Sequence, residues 1–269
     1  MEALRQIETW PARHAAAAVV AADGVLATRG ETEREFRWAS VTKPVTALAA
    51  LVAAEEGAID LDEPAGPEGS TVRHLLAHAS GLPLNEGPPI APPGKRRIYS
   101  NAGFEALAAH VAERAEMPFG VYLAAAVLQP LGLRAQLLAS PAWGLQGTLA
   151  DLARLARELL APTLVAPETL AEATEVAVPG LVGVLPGYGR QERNDWGLGF
   201  ELRDEKRPHW TGARNSPRTF GHFGAAGTFL WVDPDAGLAL AVLTDEEFGT
   251  WAKAAWPRLA DAVVAEAAT

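Results

Sequence analysis

The sequence predicts one domain of the mixed α/β class, in which an antiparallel sheet built from both termini is flanked by helices. Two observations predict it: β-rich segments lie near both ends of the chain, at residues 15–30 and 197–244, whereas the middle reads as helical. Because strands need partner strands, the two ends are expected to join in one sheet. The expected α/β part is residues 1–38 and 191–269, and residues 39–190 are expected to form an inserted helical lobe.

Turn residues delimit the predicted strands. Residues 17–22 are apolar, Asp23-Gly24 is a two-residue hairpin turn, and residues 25–28 return as the second strand. Residues 233–237, Asp-Pro-Asp-Ala-Gly, are typical of a turn between the last two strands. The C-terminal strands are expected at residues 197–202, 219–224, 227–232 and 238–244.

Apolar residues spaced at i, i+3, i+4 and i+7 predict amphipathic helices in the middle of the chain. Gly57 and Gly81 favour the ends of two of them, because glycine readily adopts the conformation that follows a helix. Thr148 with Asp151 resembles an N-terminal capping box. The expected helices are residues 40–56, 72–79 and 104–112, one after Thr148, and one from Glu246 onward that is interrupted at Pro257.

The 269 residues carry a formal net charge of -10, and the pI is about 5.1. Nucleic acid and anionic membranes would repel such a chain, so neither is expected as a partner. The short basic run Lys95-Arg96-Arg97 is interpreted as a solvated loop. Cysteine is absent, which excludes disulfides and thiolate chemistry. The N-terminus has acidic residues where a signal peptide needs positive charge, and a cytoplasmic location is expected.

The first chemical feature is the segment Ser40-Val41-Thr42-Lys43, followed by Pro44. Proline is tolerated in the first turn of a helix, so Ser40 is expected at or beside a helix N-terminus. Residues i and i+3 share one face, which brings the Lys43 amine within reach of the Ser40 hydroxyl. A desolvated lysine can act as the base that activates a serine nucleophile. Taken alone, the same pattern also fits an N-cap serine and a surface lysine.

Two further segments carry polar groups of the right kind. In Tyr99-Ser100-Asn101, the tyrosine could pass a proton and the asparagine could hold a substrate carbonyl. Alternatively, Tyr99 packs and Asn101 caps the helix that follows. In His222-Phe223-Gly224-Ala225, the edge of a strand could offer backbone N–H groups to a bound acyl group. The alternative there is an ordinary strand that contains one histidine.

Together, and in this order, the three segments resemble the S-x-x-K, Y-x-N and [KH]-x-G motifs of the serine β-lactamases, penicillin-binding proteins and related esterases. The Y-x-N and H-x-G forms are similar to the class C β-lactamase and DD-peptidase branch, and the resemblance extends over nearly the whole chain. It implies the β-lactamase/transpeptidase-like fold. The supporting stretches are residues 39–44, 73–82, 129–133, 150–154 and 221–224.

The resemblance implies a serine hydrolase in which Ser40 forms an acyl-enzyme with a small ester, amide or peptide. Lys43 and Tyr99 would share the proton transfers, and the resemblance leaves open which of them is the formal base. The backbone N–H groups of Ser40 and Ala225 would form the oxyanion hole. Substrate binding would fall to Asn101 together with His222, Phe223 and Gly224.

Departures from the family pattern bear on the substrate. Many relatives have K-T-G on the C-terminal strand, and its lysine and threonine usually bind a substrate carboxylate. Phe223 offers no donor and an uncharged His222 offers one at most, so a small ester or amide is expected. One alternative is a β-lactamase or DD-peptidase that binds its carboxylate through Arg214 or Arg218. The other is a non-catalytic binding module on the same fold.

No cofactor and no metal are expected. His74 and His78 lie four residues apart on a predicted helix, a spacing that could bind zinc, but no third ligand is nearby in the sequence. A structural role is therefore the preferred interpretation of both histidines. Nucleotide-binding glycine motifs and the G-x-S-x-G segment of α/β-hydrolases are absent. The oligomeric state is left open.

Overall fold

A computed structural model describes residues 1–268. Its centre is a six-stranded antiparallel sheet with the strand order β2-β1-β11-β10-β9-β8, so the two ends of the chain meet between β1 and β11 as predicted. Two small sheets, β3-β5-β4 and β6-β7, lie outside it. The strands are β1 (Ala15–Ala21), β2 (Gly24–Gly30), β3 (Phe36–Arg37), β4 (Gln136–Leu137), β5 (Leu145–Gly147), β6 (Gly183–Leu185), β7 (Gly189–Gln191), β8 (Glu201–Leu202), β9 (Phe220–Gly224), β10 (Thr228–Asp233) and β11 (Leu238–Thr244).

The helices occupy the middle of the chain and its C-terminus. They are α1 (Thr42–Glu55), α2 (Val72–Leu76), α3 (Asn101–Arg114), α4 (Phe119–Leu123), α5 (Leu149–Leu160), α6 (Pro167–Ala173) and α7 (Thr250–Ala267). A 3₁₀ segment at Glu2–Thr9 precedes the sheet, and a second one at Ala39–Val41 leads into α1. No helix among residues 1–268 is long and apolar enough to cross a bilayer.

The alternation of side chains along β1 gives the sheet two apolar faces. Ala16, Ala18 and Val20 pack into the cluster that contains α1 and α5. Ala17 and Val19 point the other way, into the cluster of α7 and the first 3₁₀ segment. Every residue of β11 is buried, since helices cover both faces of the sheet there. The sheet is therefore a rigid central layer from which β9 and its neighbours reach the site.

Several boundaries differ from the sequence-based expectations. Helix α2 ends at Leu76, because the following backbone turns and His78 adopts a positive φ of 55°. Helix α7 begins at Thr250 and continues through Pro257, so the predicted interruption there is wrong. Of the strand expected at residues 197–202, only β8 at its end pairs with the sheet. The Thr148–Asp151 capping box is confirmed at the start of α5.

The interpretation of Lys95-Arg96-Arg97 as a solvated loop is wrong for Arg97, which is 2% exposed. Its guanidinium donates to the carbonyl oxygens of Asn194 at 2.9 Å and Val178 at 2.9 Å, and also to those of Ala77 and Ala177. The five N–H donors of arginine allow one side chain to satisfy several buried carbonyls. Arg97 thereby ties the segment before α3 to the loops around residues 177–194. The division of the domain at residues 38 and 191 stays a prediction.

Candidate active site

Ser40 lies in the 3₁₀ turn Ala39–Val41 immediately before α1. Ala39 has a positive φ of 46°, an uncommon conformation for a residue with a Cβ. Pro44 falls in the first turn of α1, where its missing N–H leaves no helical hydrogen bond unmade. The peptide N–H groups of such a first turn lack helical partners and are free to bind an oxygen. Ser40 is thus placed at a helix N-terminus, as expected.

The Ser40 hydroxyl lies between two polar side chains. The Tyr99 hydroxyl donates a hydrogen bond of 2.7 Å to Ser40 Oγ. On the other side, Lys43 Nζ is 3.5 Å from Ser40 Oγ, and it also lies 4.6 Å from the centre of the Tyr99 ring. The distances from Ser40 Oγ to the Tyr99 hydroxyl and to Lys43 Nζ allow proton transfer to or from the Ser40 hydroxyl with small movements. The three residues are therefore brought together in one cluster.

Lys43 is fully buried, with no exposed side-chain area. Its Nζ donates to Asn101 Oδ1 at 2.7 Å and to the carbonyl oxygen of Ala142 at 3.0 Å. Burial lowers the pKa of Lys43 well below its ordinary value, against a smaller raising by the charge of Glu105. A neutral amine has two N–H donors, and these two acceptors use both of them. Its lone pair then remains for the proton of Ser40.

Tyr99 packs among aromatic rings, with the His78 ring centre at 4.7 Å and the Trp196 ring centre at 5.8 Å. Burial raises the pKa of Tyr99 far above its ordinary value, against a smaller lowering by the hydrogen bond to Ser40. The phenol consequently stays protonated and remains a donor. His78, which does not lie on a helix, contributes packing, and its Nδ1 accepts from the Ser100 N–H at 3.1 Å.

Asn101 begins α3 and lies in the cleft, but both ends of its amide have protein partners. Its Oδ1 accepts from Lys43, and its Nδ2 donates to Asn85 Oδ1 at 3.2 Å. Ser100, one residue earlier, is the N-cap and accepts from the Gly103 N–H at 2.8 Å. The structure therefore gives Asn101 a further contact, the orientation of Lys43, beside the substrate contact expected from the sequence.

His222 lies on β9 and is 3% exposed. Burial lowers the pKa of His222 to about 3, and the nearby Lys43 contributes in the same direction. The ring is therefore neutral, and its Nδ1 lies 2.7 Å from the carbonyl oxygen of Phe223. Since a carbonyl only accepts, Nδ1 carries the proton and Nε2 is a bare acceptor. Nε2 has no hydrogen-bond partner among residues 1–268.

Gly224 ends β9 where the strand passes close to the chain before Ser40. A Cβ at Gly224 would lie 2.7 Å from the carbonyl oxygen of Trp38 and 2.9 Å from the Cβ of Ala39. The Thr228 hydroxyl donates to the same Trp38 carbonyl at 2.9 Å. The missing side chain allows this approach, which brings Ala225 beside Ser40 in the cleft. The pair expected to supply the oxyanion-hole N–H groups is thus adjacent.

Two cavities open from Ser40. The first, called here the polar cavity, has a volume of about 310 Å³ and is lined by Arg37, Asn101, Trp143, Gln146 and Glu247, among others. The second, called the apolar cavity, has a volume of about 240 Å³ and is lined chiefly by Leu185, Pro186, Trp196, Phe223 and Phe248. Tyr99, His222 and Glu201 also line the apolar cavity, and Ser40 and Ala225 border both.

Neither arginine considered as a carboxylate anchor lies in these cavities. Arg218 pairs with Asp235 at 2.8 Å in the turn after β10. That turn is at the opposite end of β10 from Ala225, about 17 Å away at the rise of a strand. Arg214 is exposed where its backbone N–H meets Asp261 of α7. The structure therefore places neither arginine where the alternative of a carboxylate anchor beside Ser40 needs it.

Several residues of the site carry no sequence signal. The Ala142 carbonyl receives Lys43 from a loop 99 residues along the chain. Beneath the apolar cavity, Glu201 forms a buried ion pair with Lys206 and accepts from His209 and Trp210, both at 2.8 Å. Burial alone would raise the pKa of Glu201, but His209 and Lys206 lower it to about 2. Among residues 1–268, no three metal-ligating side chains lie together.

Known proteins are similar to this chain in sequence or in fold. A family model described as Beta-lactamase matches residues 5–142 and 134–265. The crystal structure of a beta-lactamase from Mycobacterium bovis is 55% identical and superimposes with a TM-score of 0.98, covering 99% of this chain and 100% of that one. A mutant simvastatin synthase from Aspergillus terreus, 18% identical over 98% of this chain and 93% of its own, shares the fold with a TM-score of 0.80. Penicillin-binding protein 4* of Bacillus subtilis (strain 168) is 27% identical, but the match covers 38% of this chain and 30% of that protein.

Proposed function

Because the chain belongs to the Beta-lactamase family, we propose that it is a serine hydrolase that forms an acyl-enzyme at Ser40 with a small uncharged ester or amide. The observation that carries the proposal is the placement of Ser40 Oγ between the Tyr99 hydroxyl at 2.7 Å and Lys43 Nζ at 3.5 Å. A module that merely binds a ligand has no need of a buried amine beside a serine hydroxyl. A location in the cytoplasm stays a prediction from the sequence.

Acylation begins with Lys43 as the base. Its neutral amine takes the proton of Ser40 while Ser40 Oγ forms a bond to the substrate carbonyl carbon. The negative charge that develops on the carbonyl oxygen is received by the N–H groups of Ser40 and Ala225, each contributing roughly 3 kcal/mol. This assignment is supported by the two acceptors that hold the amine protons of Lys43 away from Ser40.

Collapse of the tetrahedral intermediate breaks the bond to the leaving alcohol or amine, whose atom takes a proton from the Tyr99 hydroxyl. The Lys43 ammonium then returns a proton to Tyr99, so the proton of Ser40 ends on the released product. Deacylation reverses these roles: water attacks the acyl carbon, its proton passes to Lys43 through Tyr99, and Ser40 regains a proton as it leaves. No group outside the chain other than water is needed.

Hydrolysis of β-lactams is the second candidate, since a structure 55% identical to this chain is described as a beta-lactamase. A penicillin carries a carboxylate, and a charged hydrogen bond contributes roughly 1.5 to 3 kcal/mol. Among the described residues no lysine or arginine lines the apolar cavity beside Tyr99 and His222. That arrangement favours esters over penicillins.

The test compares phenyl acetate with nitrocefin and benzylpenicillin on the wild-type protein and on Ser40→Ala. We expect Ser40-dependent ester hydrolysis and a kcat/KM for the β-lactams at least tenfold lower. Arg214→Ala and Arg218→Ala serve as matched controls and should leave both activities unchanged. Efficient nitrocefin turnover with poor ester turnover would reverse the ranking of the two candidates.

A further inference from the structure

We propose that the apolar cavity is the leaving-group site, and that it takes an uncharged, apolar alcohol such as a phenol or a branched alkanol. The inference rests on the proposed acylation of Ser40 and adds to it the chemical class of one half of the substrate. It is carried by the cavity walls, by the protonation state of His222 and by the side of Ser40 on which Tyr99 lies.

The position of Tyr99 decides which half of an ester enters which cavity. The group that protonates the leaving oxygen must lie on the leaving oxygen's side of the carbonyl carbon. Tyr99 lines the apolar cavity, together with His222 and Trp196, whereas the polar cavity is lined by Asn101 and Arg37 instead. The alcohol therefore extends into the apolar cavity, and the acyl chain extends into the polar cavity.

The walls of the apolar cavity suit a ring or a branched chain. Leu185, Trp196 and Phe223 are buried, and Pro186 and Phe248 complete the rim. A cavity of 150 Å³ with comparable apolar walls binds benzene in another protein, and this one has a volume of about 240 Å³. Binding of an apolar group there removes the apolar surfaces of the group and of the cavity wall from water, which stabilises the complex by roughly 25 cal/mol per Å².

A carboxylate has no cationic partner among the residues that line the apolar cavity. The Tyr99 hydroxyl already donates to Ser40. His222 presents a lone pair at Nε2, because its one proton is held by the Phe223 carbonyl. The remaining charged group of the wall is the carboxylate of Glu201, whose charge is matched by the buried Lys206. The donor of the lining that lacks a protein partner is the neutral indole N–H of Trp196, so an anionic alcohol would lose its water without gaining a cationic partner, which is unfavourable.

The polar cavity differs in this respect. Arg37, on β3 and exposed, lines it, and its guanidinium makes no hydrogen bond or ion pair with any of residues 1–268. Glu247 lines the same cavity, so its walls hold one charge of each sign. A carboxylate at the far end of the acyl chain stays solvated or meets Arg37. A carboxylate on the alcohol should consequently lower kcat/KM, whereas a carboxylate on the acyl chain should change kcat/KM little.

Two matched pairs of esters test this difference. Phenyl acetate and 4-carboxyphenyl acetate differ by a carboxylate on the alcohol, whereas phenyl hexanoate and monophenyl adipate differ by a carboxylate on the acyl chain. We expect kcat/KM to fall at least tenfold within the first pair and less than threefold within the second. Rates with Ser40→Ala are subtracted as the background.

A variant with a cation at the rim of the apolar cavity should change the ratio of kcat/KM between 4-carboxyphenyl acetate and phenyl acetate. Pro186 follows β6 at the rim of the apolar cavity, whereas Val184, 55% exposed, points to the face of β6 opposite the buried Leu185 and does not line the cavity. Pro186→Lys should raise the relative kcat/KM for 4-carboxyphenyl acetate about fivefold, and Val184→Lys, which adds the same charge, should not. If Pro186→Lys fails to fold, the wild-type ratios still decide the matter.

The outcomes separate this inference from the function on which it rests. No Ser40-dependent hydrolysis of any ester would overturn the proposed function itself. Ser40-dependent hydrolysis in which both carboxylates slow the reaction equally, or neither does, would overturn the assignment of the cavities and leave the function intact. A loss confined to the acyl-side carboxylate would show that the two halves of the ester bind in the reverse orientation.

Discussion

The Tyr99 hydroxyl donates a hydrogen bond of 2.7 Å to Ser40 Oγ, and this contact fixes the direction in which protons can move. Because Ser40 Oγ accepts from Tyr99, its own proton is free to point toward Lys43 Nζ. The opposite pKa changes of the two neighbours agree with this direction, since burial lowers the pKa of Lys43 and raises that of Tyr99. Burial thus favours the uncharged forms of both groups beside the nucleophile.

Replacement of Tyr99 by phenylalanine tests the proton donor. Tyr99→Phe keeps the ring packed against His78 and Trp196 but removes the hydroxyl. We expect kcat/KM for phenyl acetate to fall by about 10²- to 10⁴-fold, the usual contribution of a general acid. The control is Tyr188→Phe, whose hydroxyl makes no hydrogen bond within the described chain and whose loss should change the rate less than threefold. Equal rates for wild type and Tyr99→Phe would contradict the role given to Tyr99.

The pH profile tests Lys43 as the base. The reaction needs the neutral amine, so kcat/KM should be full above the lowered pKa of Lys43 and should fall as the pH drops through it. His222 is already neutral above a pH of about 3, so its titration does not change kcat/KM near neutral pH. His222→Gln should therefore leave unchanged the pH at which kcat/KM falls, which is the acid limb of the profile.

Lys43→Met should lower kcat/KM by about 10²-fold or more at pH values above the lowered pKa of Lys43. Lys95→Met, an exposed replacement of the same kind, is the control and should be without effect. Residual activity of Lys43→Met with an unshifted acid limb would show that another group is the base.

The close approach at Gly224 is tested by adding one methyl group. Gly224→Ala places a Cβ 2.7 Å from both Thr228 Oγ1 and the Trp38 carbonyl oxygen, so β9 must shift away from Ser40. We expect a loss of about 1–3 kcal/mol in the free energy of unfolding and, because Ala225 moves with the strand, a loss of about 10²-fold in kcat. The control is Gly120→Ala in α4, where the new Cβ meets nothing within 4 Å. Its free energy of unfolding should rise by up to about 1 kcal/mol, because alanine favours a helix more than glycine does.

Arg97 and Arg96 offer a matched pair for stability. Arg97→Met leaves the carbonyls of Asn194 and Val178, among others, without their buried donor. Since each unsatisfied group costs about 1–3 kcal/mol, we expect a loss above about 3 kcal/mol in the free energy of unfolding. Arg96 is exposed, and Arg96→Met should change it by less than about 0.5 kcal/mol. Urea denaturation followed by tryptophan fluorescence measures the free energy of unfolding of both variants. Similar losses in the two variants would contradict the structural role of Arg97.

Local signals explain how much of this fold was predictable. The hairpin expected at Asp23-Gly24 forms, although its turn is Ala22-Asp23 and Gly24 already begins β2. The Thr148–Asp151 box forms as predicted, and the three-residue spacing of Ser40 and Lys43 brings them together on a helix. Pro257 misled the prediction, because packing of α7 against the sheet outweighs one missing backbone hydrogen bond. Local propensity is a weak guide where tertiary contacts decide.

The rest of the site depends on contacts between distant segments. The Ala142 carbonyl that orients Lys43 is a backbone atom, which no side-chain pattern reveals. Arg97 looked like a solvated charge because its four acceptors come from residues far along the chain. The apolar cavity likewise joins Leu185 and Phe248, 63 residues apart in the numbering. Such features follow from the fold and become visible once the fold is known.

The most direct test of the account is intact mass spectrometry after exposure to a fluorophosphonate and to an activated phenyl ester. We expect the wild-type protein to gain one phosphonyl group, which peptide mapping places on Ser40, and a short-lived acyl group with the ester. Ser40→Ala should gain neither under the same conditions, with its melting temperature changed by no more than a few degrees. A label on another residue, or equal labelling of folded Ser40→Ala, would contradict the assignment of Ser40 as the nucleophile.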